Sequence, residues 1–265
     1  MDEPLLLTEK KEKIFTLTIN RSERRNALNS AMVSRMVEIL REVREEGEVR
    51  CLVIRGAGDK AFSSGYDIAD IPTNLTPEEA AELKRRSPFQ GLLIAVQDFP
   101  FPVIAMLNGH ALGAGCDLAM CCDIRIAAEP ALLGIPPAKL GIIYQADGVQ
   151  RLINIAGLAN AKELFFTGRS YKAPQAKEMG LVHYVLPPDQ LSSFTYEMAR
   201  EISENAPLSL KGMKSIFRKC LEHQRLDPED AKEIENLRGQ AFNSEDIKEG
   251  QRAFKEKRKP VFQGR

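Results

Sequence analysis

Val103-Ile-Ala-Met-Leu107, then Asn108-Gly-His-Ala-Leu-Gly-Ala-Gly-Cys-Asp117, then Asp123-Ile-Arg-Ile-Ala127: this stretch decides the fold class. The first five residues form an apolar run of the buried-strand kind. Asn108-Gly109 turns the chain, and Gly113-Ala-Gly115 opens a helix that runs through Asp117 to Cys121. A second strand follows at Asp123 to Ala127. Strand, helix and strand at this spacing imply a crossover connection, and crossover-linked strands pair in parallel. The reading is α/β.

The same alternation extends toward the N-terminus. Phe15, Leu17 and Ile19 alternate with polar residues, as in a half-buried strand. After the charged turn Arg21 to Arg25, Asn26 reads as a helix cap. Leu28, Met32, Met36, Ile39, Leu40 and Val43 then recur at helical spacing. Cys51-Leu-Val-Ile54 is another buried strand. Phe89, Leu92, Leu93 and Val96 mark a helix stopped by Phe99-Pro-Phe-Pro102. Beyond residue 145 the signals are mainly helical, at Ala161–Thr167, Ala173–Met179, Gln190–Asn205, Leu208–His223 and Asp246–Lys259. A short strand is expected near Leu181–Val185. The organisation expected is an α/β core over residues 1–200 and a C-terminal helical region over 201–265, packed on the core or on a neighbouring subunit.

Composition narrows the function classes. In 265 residues, 37 Lys and Arg balance 37 Asp and Glu, leaving no basic field to hold nucleic acid or an anionic membrane. No apolar run approaches the roughly 18–20 residues of a membrane span. The five cysteines include no metal-type CxxC pair, so reduced thiols and no metal site are expected. The start, Met1-Asp-Glu-Pro, lacks the basic and apolar regions of a secretory signal, and the expected location is cytoplasmic.

Two segments carry the chemistry. Ala61-Phe-Ser-Ser-Gly-Tyr-Asp-Ile68 and Asn108 to Asp117 each place glycine and small residues before a helix start. Free amides at such a start bind negative charge, and two that converge form an oxyanion hole. The alternative is that these glycines only permit tight turns. The spacing of Gly109, Gly113 and Gly115 is not that of a dinucleotide fingerprint.

These paired segments resemble the signatures of the enoyl-CoA hydratase/isomerase (crotonase) superfamily. The likeness continues in Arg25-Asn-Ala-Leu-Asn29, Asp123 to Ala128, Lys139-Leu-Gly141, Gln150-Arg-Leu152, Glu178 to Val182, Asn205-Ala-Pro207 and Phe254 to Pro260. It implies a spiral of ββα units with a C-terminal helical trimerisation region, in homotrimers or dimers of trimers. The oxyanion amides fall on Tyr66 and Ala114. The substrate is an acyl-CoA thioester, and coenzyme A arrives with it, so no separate cofactor is implied. The loop Phe62, Ser64, Gly65, Asp67 and Ile68 would cradle it, aided by Arg25, Ala27, Gly113 and Pro137. Phe254 and Lys257 would reach coenzyme A from the C-terminus.

Two positions depart from the hydratase pattern. Hydratases of this family hold a water between two glutamates; the first position carries Asp117 and the second Pro137, which has no proton to move. The turn Leu140-Gly-Ile-Ile-Tyr-Gln-Ala-Asp-Gly148 resembles that of the methylmalonyl-CoA decarboxylases, which puts their tyrosine at Tyr144. Those enzymes keep histidine where this chain has Tyr66 and glutamate where it has Asp117. The resemblance therefore implies an acyl-CoA lyase decarboxylating a malonyl- or methylmalonyl-type thioester. The alternatives are a hydratase or isomerase using Asp117 as its single acid–base group, and a non-catalytic acyl-CoA-binding protein. By the residues alone, His110 supports its loop, Cys121-Cys122 is core, Asp147 is solvent-exposed or touches substrate, and His183 and His223 are structural.

Overall fold

A computed structural model describes residues 4–67, 87–222 and 228–264. Ile68 and His223 lie outside the described residues. In chain order the strands are β1 (Leu6–Lys11), β2 (Ile14–Ile19), β3 (Cys51–Gly56), β4 (Ala61–Ser63), β5 (Val103–Leu107), β6 (His110–Leu112), β7 (Ile124–Ala128), β8 (Leu132–Gly134), β9 (Tyr171–Lys172) and β10 (Tyr184–Leu186). The described helices are α1 (Ser30–Glu46), α2 (Pro88–Gln97), α3 (Ala114–Cys121), α4 (Ala146–Thr167), α5 (Ala173–Glu178), α6 (Pro188–Glu204), α7 (Pro207–Glu222), α8 (Pro228–Phe242) and α9 (Glu245–Lys255). Six strands form one sheet in the order β1-β2-β3-β5-β7-β10, and β4-β6-β8-β9 form a second. All pairings are parallel except β1 with β2 and β8 with β9. The α/β architecture with helices gathered at the C-terminus is as expected. None of the described helices is long and apolar enough to cross a membrane.

Strand β2 is buried on both faces, not half-buried. Phe15, Leu17 and Ile19 pack in the core with α1, whose Met32, Val33, Met36, Ile39, Leu40 and Val43 form its inward stripe. Each such side chain contributes about 1.5–3 kcal/mol on burial. The other face is covered by α6, and buried Thr16 bonds through its hydroxyl to the Tyr196 hydroxyl at 3.0 Å. The polar residue of the alternation thus marks a second layer, and water does not reach it. Strand β1 has no apolar alternation to reveal it; it is a Lys- and Glu-bearing antiparallel edge strand.

Asn26 is not the cap of α1. That role falls to Asn29, whose Oδ1 accepts from Met32 N at 2.8 Å. Asn26 is fully buried with φ 57° and satisfies three backbone groups. Its Nδ2 donates to Ala57 O at 3.0 Å and Ala61 O at 2.7 Å, and its Oδ1 accepts from Arg21 N at 3.0 Å. Capping chemistry is spent here on holding a loop.

The helical C-terminal region differs in detail from the expectation. Ala161–Thr167 is only the end of α4, which starts at Ala146 and is interrupted at Gly157 (φ 76°). Helix α8 adds to the expected helices; it is charged and buries no residue, so it shows no core-facing stripe. The last helix stops at Lys255, short of Lys259, because the chain folds back on it. Glu249 accepts from Arg252, Arg258 and Val261 N, while Asp246 takes the amides of Gln263 and Gly264. This region is anchored to the core of its own chain. Gly250 rests against Leu140 O, where a Cβ would stand at 2.7 Å, and Lys214 on α7 bonds Phe101 O and Asp123.

Asn26→Ala leaves two carbonyls and an amide without their buried partner. It should lower unfolding stability by ~2–3 kcal/mol, read as a reduced urea midpoint at unchanged slope.

Candidate active site

Two chain segments meet backbone to backbone. A Cβ on Gly109 would stand 2.3 Å from Lys60 C, and one on Gly115 would stand 2.5 Å from Ser63 O. Only glycine permits that approach. Asn108 secures it, accepting from Gly56 N at 2.9 Å and donating to Gly58 O at 2.7 Å. In consequence Gly65 (φ 102°) lies beside the start of α3, where its Cβ position is 3.3 Å from Ala114 N.

The amides are oriented by what surrounds them. Leu28 N donates to Gly65 O at 2.8 Å and Asp67 N to Leu28 O at 2.7 Å. The Tyr66 amide between these bonds points away from Leu28, by strand alternation. Ala114 is the first residue of α3, so its amide has no acceptor one turn back. Tyr66 and Ala114 are thus brought together, and two such donors can stabilise an oxygen that gains negative charge. The Tyr66 ring is held to the side, with its hydroxyl 2.8 Å from Ser30 Oγ and its edge on Phe89.

One turn further along α3 sits buried Asp117. Its carboxylate is ion-paired with the Arg151 guanidinium from α4, and both side chains are at most 10% exposed. Tyr144 lies on the glycine face of α4, where a Cβ on Gly148 would be 2.4 Å from its Cε1. The same Cβ would be 3.6 Å from Asp117 Oδ2. Burial, then the charge and hydrogen bonding of Asp117, push the Tyr144 phenol well above its usual pKa. Its ring also packs on Phe165 at 5.2 Å. Arg151 is the residue that sequence reasoning missed. Its signal was the Gly148–Arg151 spacing, which puts both on one helix face after the tyrosine turn.

The other expected residues divide. Pro137 is buried and opens a 3-10 turn, Pro137–Leu140, next to the site. Arg25 (φ 53°) accepts through its carbonyl from Ser64 N at 3.0 Å, joining the first basic turn to the glycine loop. Ala27 and Phe62 are buried behind that loop, and Gly113 N is tied to Gly134 O. Asp67 pairs with Arg21, a residue not anticipated there, at 3.0 Å. Phe254 is exposed and Lys257 lies just beyond α9. Among the described residues, no hydrogen bond or ion pair joins either side chain to the Gly65–Ala114 cluster. Of the isoleucines before Tyr144, Ile135 is buried, Ile142 half-buried and Ile143 exposed.

The remaining candidates are structural. His110 and His183 each accept through Nδ1 from a backbone amide, of Leu132 and Arg125, and burial lowers both pKa values. Asp147 is exposed and accepts from Gln90 at 3.3 Å. Burial pushes the Cys51, Cys116 and Cys122 thiols up to about 12, and raises Cys121 as well.

A family model described as enoyl-CoA hydratase/isomerase matches residues 9–265. The chain belongs to that family. It is an enzyme of the acyl-CoA-processing crotonase superfamily. The short-chain-enoyl-CoA hydratase of Clostridium acetobutylicum is 37% identical over 96% of this chain and 95% of its own. The methylmalonyl-CoA decarboxylase of Escherichia coli is 32% identical over 95% of each chain. A solved methylmalonyl-CoA decarboxylase in complex with 2-nitronate-propionyl-CoA superposes with a TM-score of 0.92. It is 30% identical, and the match covers 100% of both chains.

Gly115→Ala drives a methyl group into Ser63 and separates the two amides. Turnover should fall by at least ~10²-fold while the far-UV circular dichroism spectrum is kept. Because thiolates are the reactive form, the four buried thiols should resist alkylation at about pH 8. Cys220, exposed in this chain, should label first, and all five cysteines should label only after unfolding.

Proposed function

We propose that this chain decarboxylates a malonyl- or methylmalonyl-type coenzyme A thioester, a lyase reaction through an enolate. One observation carries the reading. Where hydratases of the family keep two glutamates, this site has Pro137, which moves no proton, and Asp117, which is committed to Arg151. Decarboxylation needs neither a water nor a strong base. The C–CO2 bond breaks heterolytically and its electron pair enters the thioester carbonyl, which becomes an enolate oxygen. The Tyr66 and Ala114 amides would receive that oxygen, CO2 leaves, and a solvent proton on the carbon restores the thioester. The Tyr144 hydroxyl would orient the departing carboxylate, with buried Ile135 excluding water. Coenzyme A comes with the substrate, and no further cofactor enters.

A hydratase or isomerase using Asp117 alone is the second reading. It is favoured by the higher identity to the short-chain-enoyl-CoA hydratase, 37% against 32%. For the assembly we propose a homotrimer or dimer of trimers. The exposed apolar side chains Leu208, Ile216 and Phe217 of α7 support it, on a helix whose Lys214 is already fastened to the core.

Mass spectrometry of malonyl-, methylmalonyl-, crotonyl- and 3-enoyl-CoA incubated with the purified enzyme separates the readings. The expected result is CO2 loss from a malonyl-type thioester, with no addition of water to crotonyl-CoA. Tyr144→Phe should lower kcat for decarboxylation by roughly 10²-fold, in line with the loss of one positioned hydrogen bond in a dry site. Water addition to crotonyl-CoA that survives Tyr144→Phe and is lost in Asp117→Asn would establish the second reading instead.

A further inference from the structure

Three features coincide around Asp117. Its buried carboxylate is paired with the Arg151 guanidinium and lies beside the Tyr144 ring, the two standing 3.6 and 2.4 Å from the same Cβ position on Gly148. Arg151 is itself enclosed, and its Nε has no acceptor among the described residues. Gly148 leaves the space in which the Tyr144 ring lies between helix and carboxylate.

A tyrosine hydroxyl has one hydrogen to donate. While Asp117 holds that hydrogen, a substrate carboxylate is offered only lone pairs and meets a second negative charge. The arrangement blocks the proposed reaction unless something else satisfies Asp117. We infer that Arg151 is the positioning residue that frees Tyr144. By pairing with Asp117, it lets the hydroxyl hydrogen turn from that carboxylate to the substrate's, and it offsets the repulsion between the two acids. This inference rests on the decarboxylase reading. The turn is a rotation about the Cζ–O bond, and no heavy atom needs to move. Without the guanidinium, Asp117 would be a buried acceptor whose remaining partner is Tyr144, and leaving it bare is costly. The tyrosine would then be locked. Arg151 acts through Asp117 and Tyr144, without touching the substrate.

The test combines turnover with binding of a non-reacting carboxyalkyl-CoA thioether, measured by calorimetry. Arg151→Gln should lower kcat on the malonyl-type thioester by about 10²-fold and weaken thioether binding about tenfold. Arg151→Lys, which keeps the charge, should recover most of both. The double variant Asp117→Asn/Arg151→Gln removes the stranded charge along with its partner. It should be at least tenfold faster than Arg151→Gln alone and should bind the thioether more tightly. In a Tyr144→Phe background, Arg151→Gln should cost little further. Thermal melts establish that each variant is folded, and the double variant serves if Arg151→Gln unfolds, because it buries no lone charge.

The inference is overturned if Arg151→Gln matches the wild type in turnover and binding, or if the double variant is no better than the single. It is also overturned if the loss is undiminished in the Tyr144→Phe background. If the wild type decarboxylates nothing, the proposed function fails. Thioether binding that falls in Arg151→Gln and returns in the double variant would still support the Arg151 role, and binding indifferent to Arg151 would end it.

Discussion

The contact between two backbones at Gly109 and Gly115 is the constraint on which the rest depends. No side chain fits there, because a Cβ on either glycine would stand about 2.3–2.5 Å from the backbone of residues 60–63. That closeness pairs β4 with β6 and sets Gly65 beside the first turn of α3. The amides of Tyr66 and Ala114 are neighbours for this reason alone. Two buried asparagines satisfy the loop that a glycine contact cannot: Asn108 binds Gly56 and Gly58, and Asn26 binds Ala57 and Ala61. Backbone polar groups in such a tight crossing would otherwise go unpaired at a cost of about 1–3 kcal/mol each.

Charge is handled with similar economy a turn away. Asp117 lies in a dry position on α3, and Arg151 makes the pair neutral overall. A buried pair of this sort contributes little net stability, since desolvation offsets attraction. Its value is chemical. It occupies Asp117 and, in the proposed reaction, leaves the Tyr144 hydroxyl free to turn to a substrate carboxylate.

The C-terminal helices complete the site from behind. Helix α9 touches the turn Pro137–Leu140 through Gly250, and Gly141 returns the contact against Asp246. Arg238 on α8 reaches Ile143 O, and the ion cluster around Glu249 fastens the last residues onto α9. The segment that presents Tyr144 is therefore braced by elements more than 90 residues later in the chain. Residues on the outer side of α7 remain exposed and apolar.

Much of this was legible in the amino-acid sequence. The apolar runs at Cys51–Ile54 and Val103–Leu107 and the stripe of α1 fix the α/β class, because hydrophobic period is a local property. The glycine segments leave local marks because tight turns and helix starts demand small residues, and it is the family resemblance they carry that points to Tyr66, Ala114, Asp117 and Tyr144. That β2 is dry on both faces, and what Asn26 binds, were not legible. Both depend on layers supplied by distant residues, α6 in one case and the 57–61 loop in the other. The partnership of Asp117 with Arg151 was equally hidden. Those residues lie 34 positions apart, and their side chains meet only because α3 and α4 pack together. Residue types and their periods are written along the chain, whereas the partner of a buried charge is decided by three-dimensional packing, where the cost of leaving it unpaired selects one neighbour.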